Sequence, residues 1–217
     1  MSESEIKAVA FDVDGTLVSG NFWIPLHTLF HVPLEDDREW MRRYHERGLD
    51  YRGWMNTVSD AWKKNPLPRE IMEEKLSRFS FLPGAEELVE TLKPRYPIAL
   101  ISSNIAGYIE HVASQLAIDD WYAFTDFDFD EKAMFREITF SSDGDELEAK
   151  VEALKDFAMK NGILPTEVAF VGDSRNDLDV FKLTGKGILI GEGNEDLRGA
   201  AWKRVNSLSE ISALLQP

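Results

Sequence analysis

A short apolar run in residues 8–17 stops on Asp12-Val13-Asp14-Gly15-Thr16, and that junction restricts what this chain can fold into more than any other feature. Ala8, Val9, Ala10 and Phe11 are too few for a helix and suit a buried strand. Two aspartates two residues apart follow at once. Burying two like charges without a cation costs several kcal/mol, so a strand end that carries them is expected to use them. Gly15 lets the chain turn away. Taken alone, the string also fits a strand followed by an acidic turn.

The rest of the chain divides by texture. Residues 18–81 hold no strand-like run. Tyr51, Trp54, Met55, Val58, Ala61 and Trp62 recur at helical spacing and form a broad apolar stripe. Leu26, Leu29 and Phe30 predict a helix before it, residues 36–47 a polar helix closed by Gly48, and Pro68 the start of another through Met72, Leu76 and Phe79. Four of the six tryptophans lie in this region: Trp23, Trp40, Trp54 and Trp62. From residue 86 helices and strands alternate. Strands are expected at 97–101, 168–171, 188–190 and 204–206, and helices through Leu88, Val89 and Leu92, through Ile105, Ile109, Val112 and Leu116, and over 146–160, 177–183, 195–200 and 208–215. Residues 121–140, aromatic and acidic, read as an antiparallel excursion. The expected fold class is therefore α/β, a Rossmann-like, doubly wound and mostly parallel sheet with an inserted all-helical cap. The core spans residues 1–17 and 82–217, and the cap residues 18–81.

Composition removes several functions. A formal charge of −15 argues against broad contact with nucleic acid or an anionic membrane. The absence of cysteine excludes disulfides, thiolate nucleophiles and Cys-ligated zinc. The acidic start, Met-Ser-Glu-Ser-Glu, and the lack of any apolar stretch near eighteen residues predict neither a signal peptide nor a membrane span, so the cytoplasm is the expected compartment. Oligomeric state cannot be read from the chain.

Ligands of such sheets bind past the carboxyl ends of the strands, and three predicted strands run into polar residues at that edge. The first ends at Asp12 and Asp14, the second in Ser102-Ser103-Asn104, the third in Gly172-Asp173-Ser174-Arg175-Asn176-Asp177. Ser102 to Asn104 suit a helix cap as well as a phosphoryl-oxygen site. Asp173 suits an N-cap, with Asp177 an ordinary charge one turn on. Lys150 alone is a solvated helix lysine. Together they supply acidic ligands, an anion cradle and one cation.

This set resembles the haloacid dehalogenase superfamily of aspartate-nucleophile phosphohydrolases, whose four motifs stand in order as Asp12-Val13-Asp14-Gly15-Thr16, Ser102, Lys150 and Gly172-Asp173 with Asp177. The cap position, the excursion at 124–140 and Lys150 followed by Leu154 are most similar to the phosphoserine phosphatase branch. The resemblance implies a phosphomonoester hydrolase acting on a small phosphorylated metabolite. Asp12 is then the nucleophile that becomes an aspartyl-phosphate, and Asp14 the acid for the leaving oxygen and the base for water. Mg2+ is held by Asp12, the Asp14 carbonyl and Asp173, with Asp177 and Asn176 behind them. Lys150 neutralises Asp12 and the phosphoryl group, and Ser102, Ser103, Asn104 and Thr16 line the phosphate site.

Departures from that branch concern the substrate. Its second motif is usually Ser-Gly-Gly. It also carries a glutamate near Asn21 and an arginine near Val58, and this chain has neither. Asn21, Trp23, His27, Arg52 and Trp54 are the candidates for leaving-group contacts; each also suits a structural role, the tryptophans in cap packing. Two alternatives stay open, phosphoserine phosphatase specifically and a non-catalytic phosphate- or partner-binding relative. Transfer to an acceptor other than water is not addressed by the sequence.

Overall fold

A computed structural model describes residues 5–20, 22–46 and 48–215, with His45 by its backbone alone. At its centre is β1 (Ala8–Phe11), buried on both faces. Parallel partners flank it on each side, β2 (Ile98–Ile105) and β5 (Val168–Gly172). The chain builds outward from β2 through β3 (Asp120–Phe129) to β4 (Phe135–Phe140). It then returns to β5 and continues through β6 (Gly187–Ile190) to β7 (Lys203–Val205). The order is β4-β3-β2-β1-β5-β6-β7, and every pairing is parallel except β3 with β4. The direction of winding therefore reverses at β1, which puts the end of that strand where sheets of this kind leave a crevice.

Alternation along β1 explains the two layers. Val9 and Phe11 point to a core shared with α5 (Ala85–Leu92), α6 (Ala106–Gln115) and α10 (Leu208–Leu215). Ala8 and Ala10 face α7 (Glu146–Lys160), α8 (Leu178–Thr184) and α9 (Glu195–Ala200).

Among the described residues four helices lie between β1 and α5: α1 (Trp23–Leu29), α2 (Leu34–His45), α3 (Tyr51–Trp62) and α4 (Arg69–Leu76). Asp50 caps α3 by accepting the Gly53 amide at 2.7 Å. The apolar stripe of α3 is buried, and it does not close on itself. Trp62, fully buried, stacks on Phe30 at 4.2 Å and meets Phe127 and Phe135 of the β3–β4 hairpin edge-on. Ser59 of α3 accepts the Ile138 amide at 3.1 Å. The helical region thus shares one apolar core with the sheet.

Some boundaries differ from the sequence expectation. The second strand continues through Ser102, Ser103 and Asn104 to Ile105, with a shift of register between Ser102 and Ile105. No side chain caps α6, so the capping role open to Ser102 and Asn104 is not realised there. β3 is an inner member of the sheet as well as one arm of the antiparallel hairpin. α4 ends at Leu76 rather than Phe79, where the Ser77 hydroxyl bonds back to the Glu74 carbonyl. α2 begins at Leu34, after Pro33, and the predicted end at Arg47 lies outside the described residues. Among the described residues no helix is long and apolar enough to cross a membrane.

Candidate active site

Asp12 follows the last residue of β1, its amide bonded to the Val171 carbonyl at 2.9 Å, and its side chain is buried. The chain then turns at Gly15, where φ is +76° and a Cβ would stand 2.3 Å from Asp173 Oδ2. Only glycine lets the turn sit so close to that carboxylate. Gly172 is constrained in the same way, since a Cβ there would lie 2.3 Å from Asp177 Oδ2.

Lys150 comes in from the first turns of α7, and its side chain is 1% exposed. The amine has three protons and three acceptors: Asp12 Oδ1 at 3.0 Å, Asp177 Oδ1 at 2.7 Å and Asn176 Oδ1 at 3.1 Å. Burial opposes its charge, but the Asp12 and Asp177 carboxylates outweigh burial and raise its pKa above the lysine range. The solvated lysine of the plainer reading is excluded. The other Asp177 oxygen accepts the amides of Asp173 and Ser174, both at 3.1 Å, so it is Asp177 rather than Asp173 that ties down this loop.

Asp12, Asp173 and Asp177 each offer a carboxylate oxygen within 4.8 Å of the others. Burial first, then the Asp12 charge, raise the pKa of Asp173. At about 4 Å and an effective dielectric of 20 each like-charge pair costs about 4 kcal/mol, and Lys150 is a single compensating charge. A set made only of hard oxygens, with more negative charge than its lysine balances, fits a divalent cation. Asp12 and Asp173 are the available ligands, because both Asp177 oxygens are already engaged.

The Asp14 carboxylate is anchored by three donors: the Tyr108 hydroxyl at 2.7 Å, Asn104 Nδ2 at 3.0 Å and the Phe22 amide at 3.0 Å. Burial raises its pKa against the pull of these hydrogen bonds. In turn, burial and then Asp14 raise that of Tyr108.

Asp12, Asp14 and Asp173 line a cavity of about 260 Å³, with Ser102, Ser103 and Asn104 from the β2 end and Trp23, Tyr44, Tyr51 and Trp54 from the helices. Of the predicted leaving-group contacts, Trp23 and Trp54 line it. His27 and Arg52 do not. His27 is fully buried, accepting from Trp62 Nε1 at 3.1 Å with its Nε2 3.1 Å from Asp37, so it holds helices together. Arg52 bonds the carbonyls of Ser142 and Gly144 and stacks on Phe140, fastening α3 to the loop before α7. Asn21 lies outside the described residues. Thr16, expected to line the phosphate site, is fully buried and faces Asp173 at 3.4 Å. Asn104 Nδ2 donates one proton to Asp14, and its Oδ1 has no partner among the described residues.

Four neighbours were not singled out from sequence: Tyr108, Tyr51, Arg175 and Glu146. Tyr51 donates to the Ser103 carbonyl at 2.7 Å, which ties α3 to the strand end. Glu146 is one turn before Lys150 on the same face of α7, a spacing that could have flagged it. Burial, the largest effect, raises its pKa to about 7.

Comparison with known proteins gives the kinship. A model of the haloacid dehalogenase-like hydrolases matches residues 6–185. The phosphoserine phosphatase of Streptococcus thermophilus is 30% identical over 192 residues, covering 85% of this chain and 84% of that protein. That of Methanocaldococcus jannaschii is 27% identical over 193 residues, covering 84% of each. A solved structure described as a phospho-aspartyl intermediate analogue of phosphoserine phosphatase superposes with a TM-score of 0.81 over 98% of this chain and all of that one. At 23% identity it speaks for the fold.

Proposed function

The chain belongs to the haloacid dehalogenase-like hydrolase family and is a phosphatase, and on that premise we propose that it hydrolyses phosphomonoesters of small metabolites with Mg2+ through an aspartyl-phosphate. The observation that carries this reading is the meeting of Asp12, Lys150, Asp173 and Asp177, residues from three separate stretches of chain, at the end of the central strand. Asp12 and Asp173, with the Asp14 main-chain carbonyl, are the proposed Mg2+ ligands. When bound, the ion supplies the positive charge that lets a carboxylate approach a phosphate dianion.

Asp12 is the proposed nucleophile. Its Oδ1 is fixed by Lys150, which limits the directions from which it can attack. An Asp12 oxygen bonds to phosphorus as the ester oxygen departs with a proton from Asp14. Asp14 then takes a proton from water, whose oxygen attacks the same phosphorus and frees Asp12 and inorganic phosphate. The Tyr108, Asn104 and Phe22 contacts hold Asp14 for both transfers. Ser102 and Ser103 are proposed to donate to phosphoryl oxygens. Residues 18–81 act as the cap that reads the leaving group and keeps water out.

The test is phosphate release from p-nitrophenyl phosphate and a panel of phosphorylated metabolites, with Mg2+ and with EDTA. Release that needs Mg2+ and disappears in Asp12→Asn supports the reading; full activity of Asp12→Asn overturns it. Phosphoserine as the particular substrate is a second reading, favoured by the relatives' identity, and the same panel ranks it.

A further inference from the structure

We infer that Tyr51, on the helical side of the cavity, is a positioning residue for phosphoryl binding, acting by holding the peptide that aims the Ser102 hydroxyl. The inference rests on the phosphatase reading, with Ser102 as a donor to the phosphoryl group, and adds to it a residue outside the four motifs.

The end of β2 is irregular at that point. Ser102 pairs with Ala123 and Ile105 with Thr125, so Ser103 and Asn104 together stand opposite Phe124 alone. A bulge of this kind takes its extra residue out of the ladder and re-aims the side chains around it. In a regular strand successive side chains alternate between faces, whereas Ser102, Ser103 and Asn104 all line one cavity. Backbone groups freed from the ladder must be satisfied elsewhere, and the Ser103 carbonyl is satisfied by two side chains. The Tyr51 hydroxyl donates to it at 2.7 Å and the Thr125 hydroxyl at 3.1 Å.

The Ser103 carbonyl and the Asn104 N–H belong to one peptide unit, which is planar. Fixing the carbonyl therefore fixes the direction of the N–H, and that N–H donates to Ser102 Oγ at 3.3 Å. A hydroxyl carries one proton and accepts through its lone pairs. With Oγ accepting from Asn104, its own proton is turned away from that amide and left for a phosphoryl oxygen. Hydrogen bonds in series also polarise one another, so a donor on the carbonyl strengthens the N–H at the other end of the peptide.

Tyr51 is itself held firmly. It is the first residue of α3, whose start is capped by Asp50 and fastened to the Gly144 carbonyl by Arg52. Its ring, 4% exposed, lies 5.7 Å from that of Phe124, the residue opposite the bulge, and 5.9 Å from that of Trp54. The orientation of the phosphate site thus depends on α3 being seated against the sheet.

The experiment compares the full chain with Tyr51→Phe, which keeps the ring and its packing and leaves Thr125 on the Ser103 carbonyl, so the fold is retained. With Mg2+ present it measures the Ki of inorganic phosphate and of orthovanadate, and kcat and KM for p-nitrophenyl phosphate, glycerol 3-phosphate and phosphoserine. Loss of one orienting hydrogen bond should raise both Ki values about three- to tenfold. It should lower kcat/KM for all three esters by a similar factor, because the phosphoryl group is what they share. A leaving-group contact would instead change KM unevenly among the esters with both Ki values unmoved, and that result overturns the inference. Ser102→Ala gives a second, independent reading. With the positioned hydroxyl gone, adding Tyr51→Phe should change the Ki values by less than about twofold; an equal factor in both backgrounds overturns the inference. Turnover with unmoved Ki values in Tyr51→Phe defeats this inference alone, whereas no phosphate release from any ester by the unmodified chain defeats the phosphatase reading with it.

Discussion

Glu146 makes a stability prediction that needs no substrate. Burial raises its pKa from 4.5 to about 7, which at 1.36 kcal/mol for each pH unit is worth about 3 kcal/mol. The folded chain holds this proton more tightly than the unfolded chain does. The folded form is therefore unpenalised below pH 4.5 and loses stability progressively as pH rises to about 7. Glu146→Gln keeps the shape and has no proton to lose. Relative to the unmodified chain, the variant should gain about 3 kcal/mol between pH 4.5 and pH 8. Urea unfolding of both chains in EDTA at pH 5 and pH 8 reads this directly. At an m-value of about 3 kcal/mol/M the midpoint difference should shift by about 1 M in favour of the variant at pH 8. Taking the difference between two chains that share every other titrating group removes the rest of the acid–base dependence. An unchanged difference at the two pH values would refute the argument that burial of Glu146 outweighs the Lys150 charge and the Asn176 contact.

Three further outcomes follow from the geometry. Gly15→Ala meets both a φ of +76° and the Asp173 carboxylate, so it should lower stability by about 1–3 kcal/mol and kcat by more than tenfold, read by thermal unfolding and phosphate release. His27→Ala leaves Trp62 Nε1 without its acceptor inside the helices and should destabilise by about 1–3 kcal/mol; a rise in KM with unchanged stability would instead mark His27 as a substrate contact. Mg2+ at about 100 times its Kd should raise folding stability by about 2.7 kcal/mol in the unmodified chain and by much less in Asp173→Asn, measured by calorimetry.

The sheet was legible because its strands are short apolar runs between clear helical spacings, and β1, β5 and α7 lie close to where that pattern puts them. The end of β2 was not. Ser102-Ser103-Asn104 reads as a helix cap because those residues usually cap helices, but the sheet's own ladder extends through them, and tertiary pairing outweighs the local preference. The motif residues were legible as a set because their charges make sense only together. His27 and Arg52 stood out because a polar side chain in an apolar helix suggests a ligand contact, while the structure turns both to contacts within the protein, the structural role each also suited. Glu146 escaped notice for the opposite reason: a glutamate in the first turn of a helix is ordinary, and its burial depends on how α7 meets the loop after β5.

The central claim is that Asp12 carries the phosphoryl group between substrate and water. Acid quenching of the enzyme during turnover of a substrate labelled in its phosphate, followed by digestion, tests it most directly. The account predicts label on the peptide that contains Asp12, removable by hydroxylamine as an acyl phosphate should be and missing from Asp12→Asn. Label on another peptide, or turnover with none on the protein at any quench time, would contradict it.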